Sequence, residues 1–327
     1  MDITIVLCTY NRCKTLVTAL DSAVASVFSE SVEWEILVVD NNSKDATREV
    51  VEGFRNRYPS RIRYIFESKQ GKSNALNTGI REARGHILAF MDDDVRVEQD
   101  WAQKLTAPLQ DSQWSGAGGR VVPEWFRPVP RWLNPQAWYA AGPLVQFDLG
   151  DKSGELFEPP FGTNMAFRKA VFEKCGDFLP ELGPRPGSEI RNEDTEFGAR
   201  VLAAGEKLRY EPSAIVHHPV PDNRVDKKFF LAWWYHKGGA SIRQFGVRPG
   251  TRYYVAGVPL YLFRNLVVWT LKWVLAFGPS WRRFSNKLNV WTKVGEILEC
   301  YRNPQAARKM EDFGRQAARV AVVSDGR

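Results

Sequence analysis

The sequence predicts an α/β protein: an αβα sandwich built on a parallel sheet, followed by a helical, basic and aromatic-rich extension. Three observations carry this. Over about the first ninety residues, apolar and β-branched runs alternate with segments of helical spacing, the pattern of a parallel sheet flanked by helices. Polar clusters fall at the ends of those runs, where such sheets bind ligands. The charge also changes sign along the chain: residues 1–222 hold 26 Lys/Arg against 32 Asp/Glu, and residues 223–327 hold 19 against 6. An acidic body with a basic tail implies two roles, the second at an anionic surface. With 327 residues there is room for one large domain, placed at 1–222, and an appendage at 223–327.

Ile3 to Thr9 reads as a buried strand. Lys14 to Val27 follows as a helix with Leu16, Leu20, Val24 and Val27 on one side. Glu35 to Asp40 is a second strand, and Asn41-Asn42-Ser43 turns into a helix from Asp45 to Tyr58. Ile62 to Phe66 is a third strand and Ser73 to Ala83 a third helix. The apolar run from His86 to Met91 then stops at Asp92-Asp93-Asp94. Gly116 to Val122 is a further strand. Pro123 to Glu158 is a Pro-, Trp- and Gly-rich loop, and long loops in compact domains are usually functional. Its Trp125, Trp132, Trp138 and Tyr139 either wall a substrate or pack the loop down. A short strand follows Gly162-Thr163-Asn164, a helix runs from Asn192 to Ala204, and Lys207 to His217 is the last strand.

Beyond residue 222, Phe229 to Ile242 has helical spacing. Tyr253 to Phe277 is strongly apolar but is interrupted by Pro259, Arg264 and Lys272. A cation at mid-bilayer costs about 2.5–3.5 kcal/mol, which argues against a spanning helix. A segment lying in the headgroup plane is expected instead, the alternative being a helical subdomain with its cations in water. No charged leader precedes an apolar core, so no signal peptide is expected. Cys8, Cys13, Cys175 and Cys300 lack metal-binding spacing and read as reduced thiols of a cytosolic protein.

Three adjacent carboxylates raise one another's pKa and call for a cation. A strand end offering oxygen ligands suits Mg²⁺ or Mn²⁺, with substrate phosphates completing the shell. Alternation along an extended chain puts Asp92 and Asp94 on one side and Asp93 on the other. Gly71-Lys72-Ser73-Asn74 opens a helix, so amide N–H groups and a positive dipole end face the same region, and Lys72 adds a charge suited to a diphosphate. The Walker pattern Gly-x-x-x-x-Gly-Lys-Ser/Thr is absent. Thr9, Tyr10 and Arg12 sit where the first strand ends, placed for a base and ribose. Asp40 ends the second strand, where a carboxylate can accept from a base N–H.

The order Thr9-Tyr10-Asn11-Arg12, Val39-Asp40-Asn41-Asn42-Ser43, Gly71-Lys72-Ser73-Asn74-Ala75-Leu76-Asn77, Asp92-Asp93-Asp94, Gly162-Thr163-Asn164 and Glu193-Asp194 resembles glycosyltransferase family 2, inverting enzymes of the GT-A fold. The resemblance covers roughly residues 3–222 and implies a nucleoside-diphosphate sugar donor, a divalent metal and inversion at the anomeric carbon. It implies donor contacts at Thr9, Tyr10, Arg12, Asp40 and Lys72, and a metal ligand at Asp94. Ribose or metal-water contact falls to Asp92 or Asp93, and the sequence leaves open which. Asp194 is implied as the base that takes the acceptor proton. Glu193 is the fallback, and Gly162, Thr163 and Asn164 line the acceptor side. Related folds add a histidine ligand here; adjacent strand residues face opposite ways, and the offset favours His217 over His218. The expected setting is surface polysaccharide or glycolipid assembly on a saccharide or lipid-linked acceptor. The protein would be cytoplasmic and peripheral on the inner membrane face through residues 223–327; nucleic acid is not expected. A nucleotidyltransferase is one rival, but Cys13-Lys14 stands where its glycine- and arginine-rich phosphate loop would be. A catalytically silent membrane-bound scaffold of the same fold is the other, opposed by the intact acidic clusters.

Overall fold

The computed structural model describes residues 1–187 and 190–305. The chain forms two compact units. The first holds Met1–Glu124, the stretch beginning at Val145, and Glu193–Pro219. The second holds Trp125–Leu144, a short segment ending at Asn192, and the chain from Val220 on. The division is therefore not a single cut: most of the Pro- and Trp-rich loop belongs with the C-terminal helices.

In the first unit, β1 (Ile3–Thr9), β2 (Trp34–Asp40), β3 (Ile62–Phe66) and β4 (Ile87–Asp92) pair in parallel in the order β3-β2-β1-β4. They are joined by α1 (Cys13–Val24), α2 (Thr47–Arg57) and α3 (Lys72–Glu82). Buried apolar runs on β1, β2 and β4 suit a sheet covered on both faces, while β3, at the edge, is buried only at Ile62. The register decides what the strand ends deliver: Thr9 lies beside Asp40 and Cys8 beside Asp92. The polar residues following the three strands are thus level at one edge.

The sheet is mixed, not wholly parallel. It continues through β5 (Arg96–Val97), β6 (Gly116–Trp125), β7 (Gly154–Leu156), β8 (Met165–Arg168) and β9 (Leu208–Val220). The order is β3-β2-β1-β4-β8-β6-β9-β5, with β7 on β9. β8 runs antiparallel to β4 and β6, and β9 antiparallel to β5 and β7. Every second residue of β9 is buried from Leu208 to Val220, the pattern of a strand with one covered face. Helices cover both faces. On one, α1, α2 and α4 (Trp101–Thr106) contribute Leu16, Leu20, Phe54 and Trp101 to the core. On the other, α3 joins α6 (Lys169–Cys175) and α7 (Glu193–Ala203), following the one-turn α5 (Ala141–Leu144) of the second unit. Phe172 and Phe197 stack there at 4.7 Å between centroids.

The second unit is helical: α8 (Lys227–Phe245), a two-residue hairpin of β10 (Tyr254–Val255) and β11 (Val258–Pro259), then α9 (Leu260–Val274) and α10 (Ser280–Arg302). α8 and α10 approach backbone to backbone. A Cβ at Gly238 would run into the Thr292 carbonyl, and one at Gly295 into that of Tyr235. The loop aromatics serve packing. Trp132 lies edge-on to Phe230 and Phe284 at 5.3 and 4.8 Å, and Trp138 to Trp234 at 4.9 Å. Among the described residues no helix is long and apolar enough to cross a membrane.

Candidate active site

β4 ends at Asp92, and the chain then turns through Asp93 and Asp94. Strand alternation lapses at that turn, so the expected separation of Asp93 from its neighbours is not what forms. Lys72 Nζ donates to Asp92 Oδ1 at 2.7 Å. A single guanidinium nitrogen of Arg12 reaches both Asp93 Oδ1 at 3.0 Å and Asp94 Oδ2 at 2.7 Å.

Arg12 is aimed by the loop after β1. Asn11 adopts φ +51°, a left-handed conformation that Asn tolerates better than most residues. Its N–H donates to Ser43 Oγ at 2.9 Å, and its Oδ1 accepts from Lys44 N–H at 2.7 Å. Cys13 N–H donates to Asp45 at 3.0 Å, closing the link between the loops after β1 and β2. Arg12 therefore clamps the acidic turn, a different position from the base and ribose contact expected of it. Asp40 is likewise engaged within the protein. Its oxygens accept from Ser43 N–H and Tyr64 O–H, each at 2.9 Å, and it is buried. Thr9 is buried beside Asp93, and Tyr10 is exposed at the strand end.

Gly71 precedes α3 at φ +129°, which only glycine adopts readily, and its N–H donates to Asn41 Oδ1 at 2.7 Å. Lys72 N–H is taken by the Pro184 carbonyl at 2.9 Å. What α3 brings to the acids is thus the Lys72 ammonium, more than an open helix end. That ammonium also lies 3.5 Å from Glu193 Oε1, on the first turn of α7. Next to Glu193, Asp194 accepts from Gly162 N–H at 2.8 Å through Oδ2 and from Thr195 N–H at 2.7 Å through Oδ1. A Cβ on Gly162 would press on this carboxylate at 3.2 Å or less. The structure therefore connects the Asp92–Asp94 turn to Glu193 and Asp194 through Lys72.

Two expected positions are corrected. Asn164 is fully buried: its Oδ1 accepts from Trp101 Nε1 at 2.7 Å, and its Nδ2 donates to the Arg120 and Ala214 carbonyls at 2.8 and 2.9 Å. Both amide donors are spent on β6 and β9, so this side chain braces the sheet and does not face an acceptor. Gly162 and Thr163 remain beside Asp194, and the buried Thr163 hydroxyl has no hydrogen-bond partner among the described residues. His217 lies on the less buried face of β9, with Nε2 2.9 Å from Glu98. His218 occupies the buried face, with Nε2 3.7 Å from Asp94 Oδ1. Its Nδ1 is 3.0 Å from the Pro219 carbonyl, which can only accept, so Nδ1 carries the hydrogen. Nε2 is then the ring nitrogen turned toward the Asp94 carboxylate, and in the neutral form of the ring it can share a cation with that carboxylate.

Residues 4–176 match the model of the family described as glycosyl transferase family 2. The chain belongs to that family. The succinoglycan biosynthesis protein ExoM of Rhizobium meliloti is 31% identical over 237 residues, 71% of this chain and 70% of ExoM. Glycosyltransferase AglE of Haloferax volcanii is 27% identical over 229 residues, 70% of each chain. The mannosyltransferase PcManGT from Pyrobaculum calidifontis, solved with GDP-Man and Mn²⁺, superposes with a TM-score of 0.55 at 16% identity, over 99% of this chain and 79% of that one. At that identity the likeness is one of fold, the GT-A type. The protein is a glycosyltransferase, and the nucleotidyltransferase reading falls.

The charges of the glycosyltransferase's acidic cleft are unevenly matched. Among the described residues, Arg12 and Lys72, together with His218, pair with Asp92, Asp93, Asp94 and Glu193, and Lys72 also acts on Asp194. The pKa shifts follow. Burial alone would discharge Lys72, but Asp92 and Glu193 outweigh it and raise its pKa. Burial works against Asp92 too, yet Lys72 brings it below the usual carboxylate range. Asp93 is pushed up to about 6 by burial, with Arg12 opposing and Asp94 adding. Glu193 is pushed up to about 7 by burial, against Lys72 and with Asp194. Its second oxygen, Oε2, is buried without a hydrogen-bond partner among the described residues.

The folded state thus holds Glu193's proton more tightly than the unfolded chain, whose glutamate loses it near 4.5. That difference lowers stability as pH rises through this window, and the loss is complete above pH 7. Glu193→Gln should therefore raise stability at pH 8, relative to its effect at pH 5, by about 1–3 kcal/mol. Urea unfolding at the two pH values measures this, and an equal shift at both would remove the buried charge from the account.

Proposed function

We propose that this glycosyltransferase transfers a sugar, with inversion, from a nucleoside-diphosphate sugar to a hydroxyl of a saccharide or lipid-linked acceptor, in surface polysaccharide or glycolipid synthesis. The observation that carries the metal-dependent form of this reading is the excess of acid around Asp94 and His218. A donor diphosphate entering among five carboxylates would be repelled unless a divalent cation came with it. The donor set fits such an ion. One carboxylate and one imidazole face each other, and both suit Mn²⁺, while Mg²⁺ would lean on the oxygen. Among the described residues no three His, Cys, Asp or Glu side chains are placed to hold an ion by themselves. Diphosphate oxygens would complete the shell, so metal and donor bind together. Bound there, the ion supplies Lewis acidity toward the leaving diphosphate. ExoM, named for succinoglycan biosynthesis, and PcManGT, solved with GDP-Man and Mn²⁺, support the same reading.

The chain's own residues do the rest. Arg12 holds Asp93 and Asp94 in place, leaving Asp94 Oδ1 toward His218. Lys72, kept protonated by Asp92 and Glu193, offers positive charge to the departing phosphates. Asp194 is fixed by the Gly162 and Thr195 amides and takes the acceptor proton as the new C–O bond forms and the nucleoside diphosphate leaves. One displacement on the face opposite the leaving group gives inversion. Glu193, neutral for part of the population near pH 7, adds less like charge beside that base than a fully ionised acid would.

Asp194→Asn should cut turnover by about 10²–10⁴-fold with donor affinity unchanged, measured by transfer kinetics and nucleotide titration. Retained turnover would move the base elsewhere. His218→Ala should weaken Mn²⁺ binding in the presence of a nucleoside diphosphate by about tenfold or more, while His217→Ala should leave it near the parent value. Paramagnetic resonance of free Mn²⁺ reads both, and the reverse order would restore His217 as the ligand.

A further inference from the structure

α9 presents apolar side chains outward. Leu262 is its one fully buried residue, packed with Ile242, Val247, Val258 and Ile297. On the open side Val267, Leu271, Val274 and Leu275 are each more than half exposed, and Phe277, just past the helix, is 92% exposed. Their three- and four-residue spacing makes one continuous stripe, and soluble surfaces rarely carry such a stripe without a partner. The second observation is independent: from Lys227 to Gly295 the chain holds twelve Lys/Arg and no Asp or Glu. Arg264 and Lys272 on α9, and Arg282 and Arg283 in the first turn of α10, are exposed. Tryptophans lie beneath two of the lysines. Lys272 Nζ sits 4.4 Å from the Trp269 ring, and Lys287 Nζ sits 5.2 Å from both Trp273 and Trp291. Ammonium groups seated over indole rings suit a boundary between hydrocarbon and polar headgroups. A protein partner would have to meet a wide cationic field with acids of its own, whereas anionic lipid does so at every point of contact. The fifteen residues of α9 are too few to span a bilayer.

We propose that α9, with the first turn of α10, is a docking surface for an anionic lipid bilayer, α9 lying in the headgroup plane with its apolar stripe inward. The surface shares no residue with the acidic cleft, so this proposal and the sugar-transfer reading fail independently. The test is co-sedimentation of the full chain with vesicles of phosphatidylcholine alone or mixed with phosphatidylglycerol. The full chain should pellet with the mixed vesicles and stay free of the neutral ones. Leu271→Asp with Val274→Asp, and separately Arg282→Ala with Arg283→Ala, should each lower partitioning about tenfold or more, with circular dichroism and nucleotide binding unchanged. Absence of binding to the mixed vesicles, or equal binding by the variants, would overturn the proposal. So would a dimer that Leu271→Asp dissolves in the absence of lipid binding, which would give the stripe to a second copy. Binding that appears only after removal of residues 306–327 would overturn it too, since the chain's own end would then be the occupant.

Discussion

The acidic cleft depends on one half-buried cation. Lys72 Nζ lies 2.7 Å from Asp92 and 3.5 Å from Glu193, and so ties the end of β4 to the first turn of α7. Without it, two carboxylates from distant parts of the chain would be desolvated side by side, at a cost that buried acids avoid by taking up protons. With it, Asp92 stays ionised while Glu193 is drawn only part of the way toward neutrality. A partly buried pair of this kind adds little net stability, because desolvation offsets attraction. What it does is position: Gly71 and Asn41 set the start of α3, and the lysine stem carries that placement to the acids.

Arg12 plays the matching part at the exposed side of the cleft, bridging Asp93 and Asp94 from a loop that Asn11, Ser43 and Asp45 hold rigid. Among the described residues these cations leave a surplus of negative charge near Asp94 and His218. That surplus is the physical reason to expect the diphosphate and the divalent ion to arrive as one ligand. An empty cleft of this composition should hold neither strongly alone.

Much of this was legible in the sequence, and the parts that were not have definite causes. Apolar runs ending in Thr9, Asp40 and Asp92 located the strand ends because a buried parallel strand has to be apolar and its polar residues can only begin where it stops. In the antiparallel half of the sheet, β6, β8 and β9 were marked as strands but not their direction, and β5 and β7, of two and three residues, are too short to show periodicity. Asp93 was misplaced because alternation was extended one residue past the strand. The choice of His217 over His218 was avoidable, since Leu208, Tyr210, Ala214 and Val216 already mark the even positions of β9 as the buried face. Asn164 looked like a ligand because it sits in a family motif, and only its three bonds to Trp101, Arg120 and Ala214 show it to be a brace. In the loop after β6, Trp132 and Tyr139 carry no signal for which aromatic partners they meet; Phe230 and Phe284 lie far along the chain.

Calorimetric titration of the full chain with nucleoside diphosphates, in the presence and absence of Mn²⁺, tests the charge argument most directly. The account predicts at least about a tenfold gain in affinity with the ion, because the cleft's acids would otherwise repel the phosphates. Equal affinity with and without the ion would contradict it.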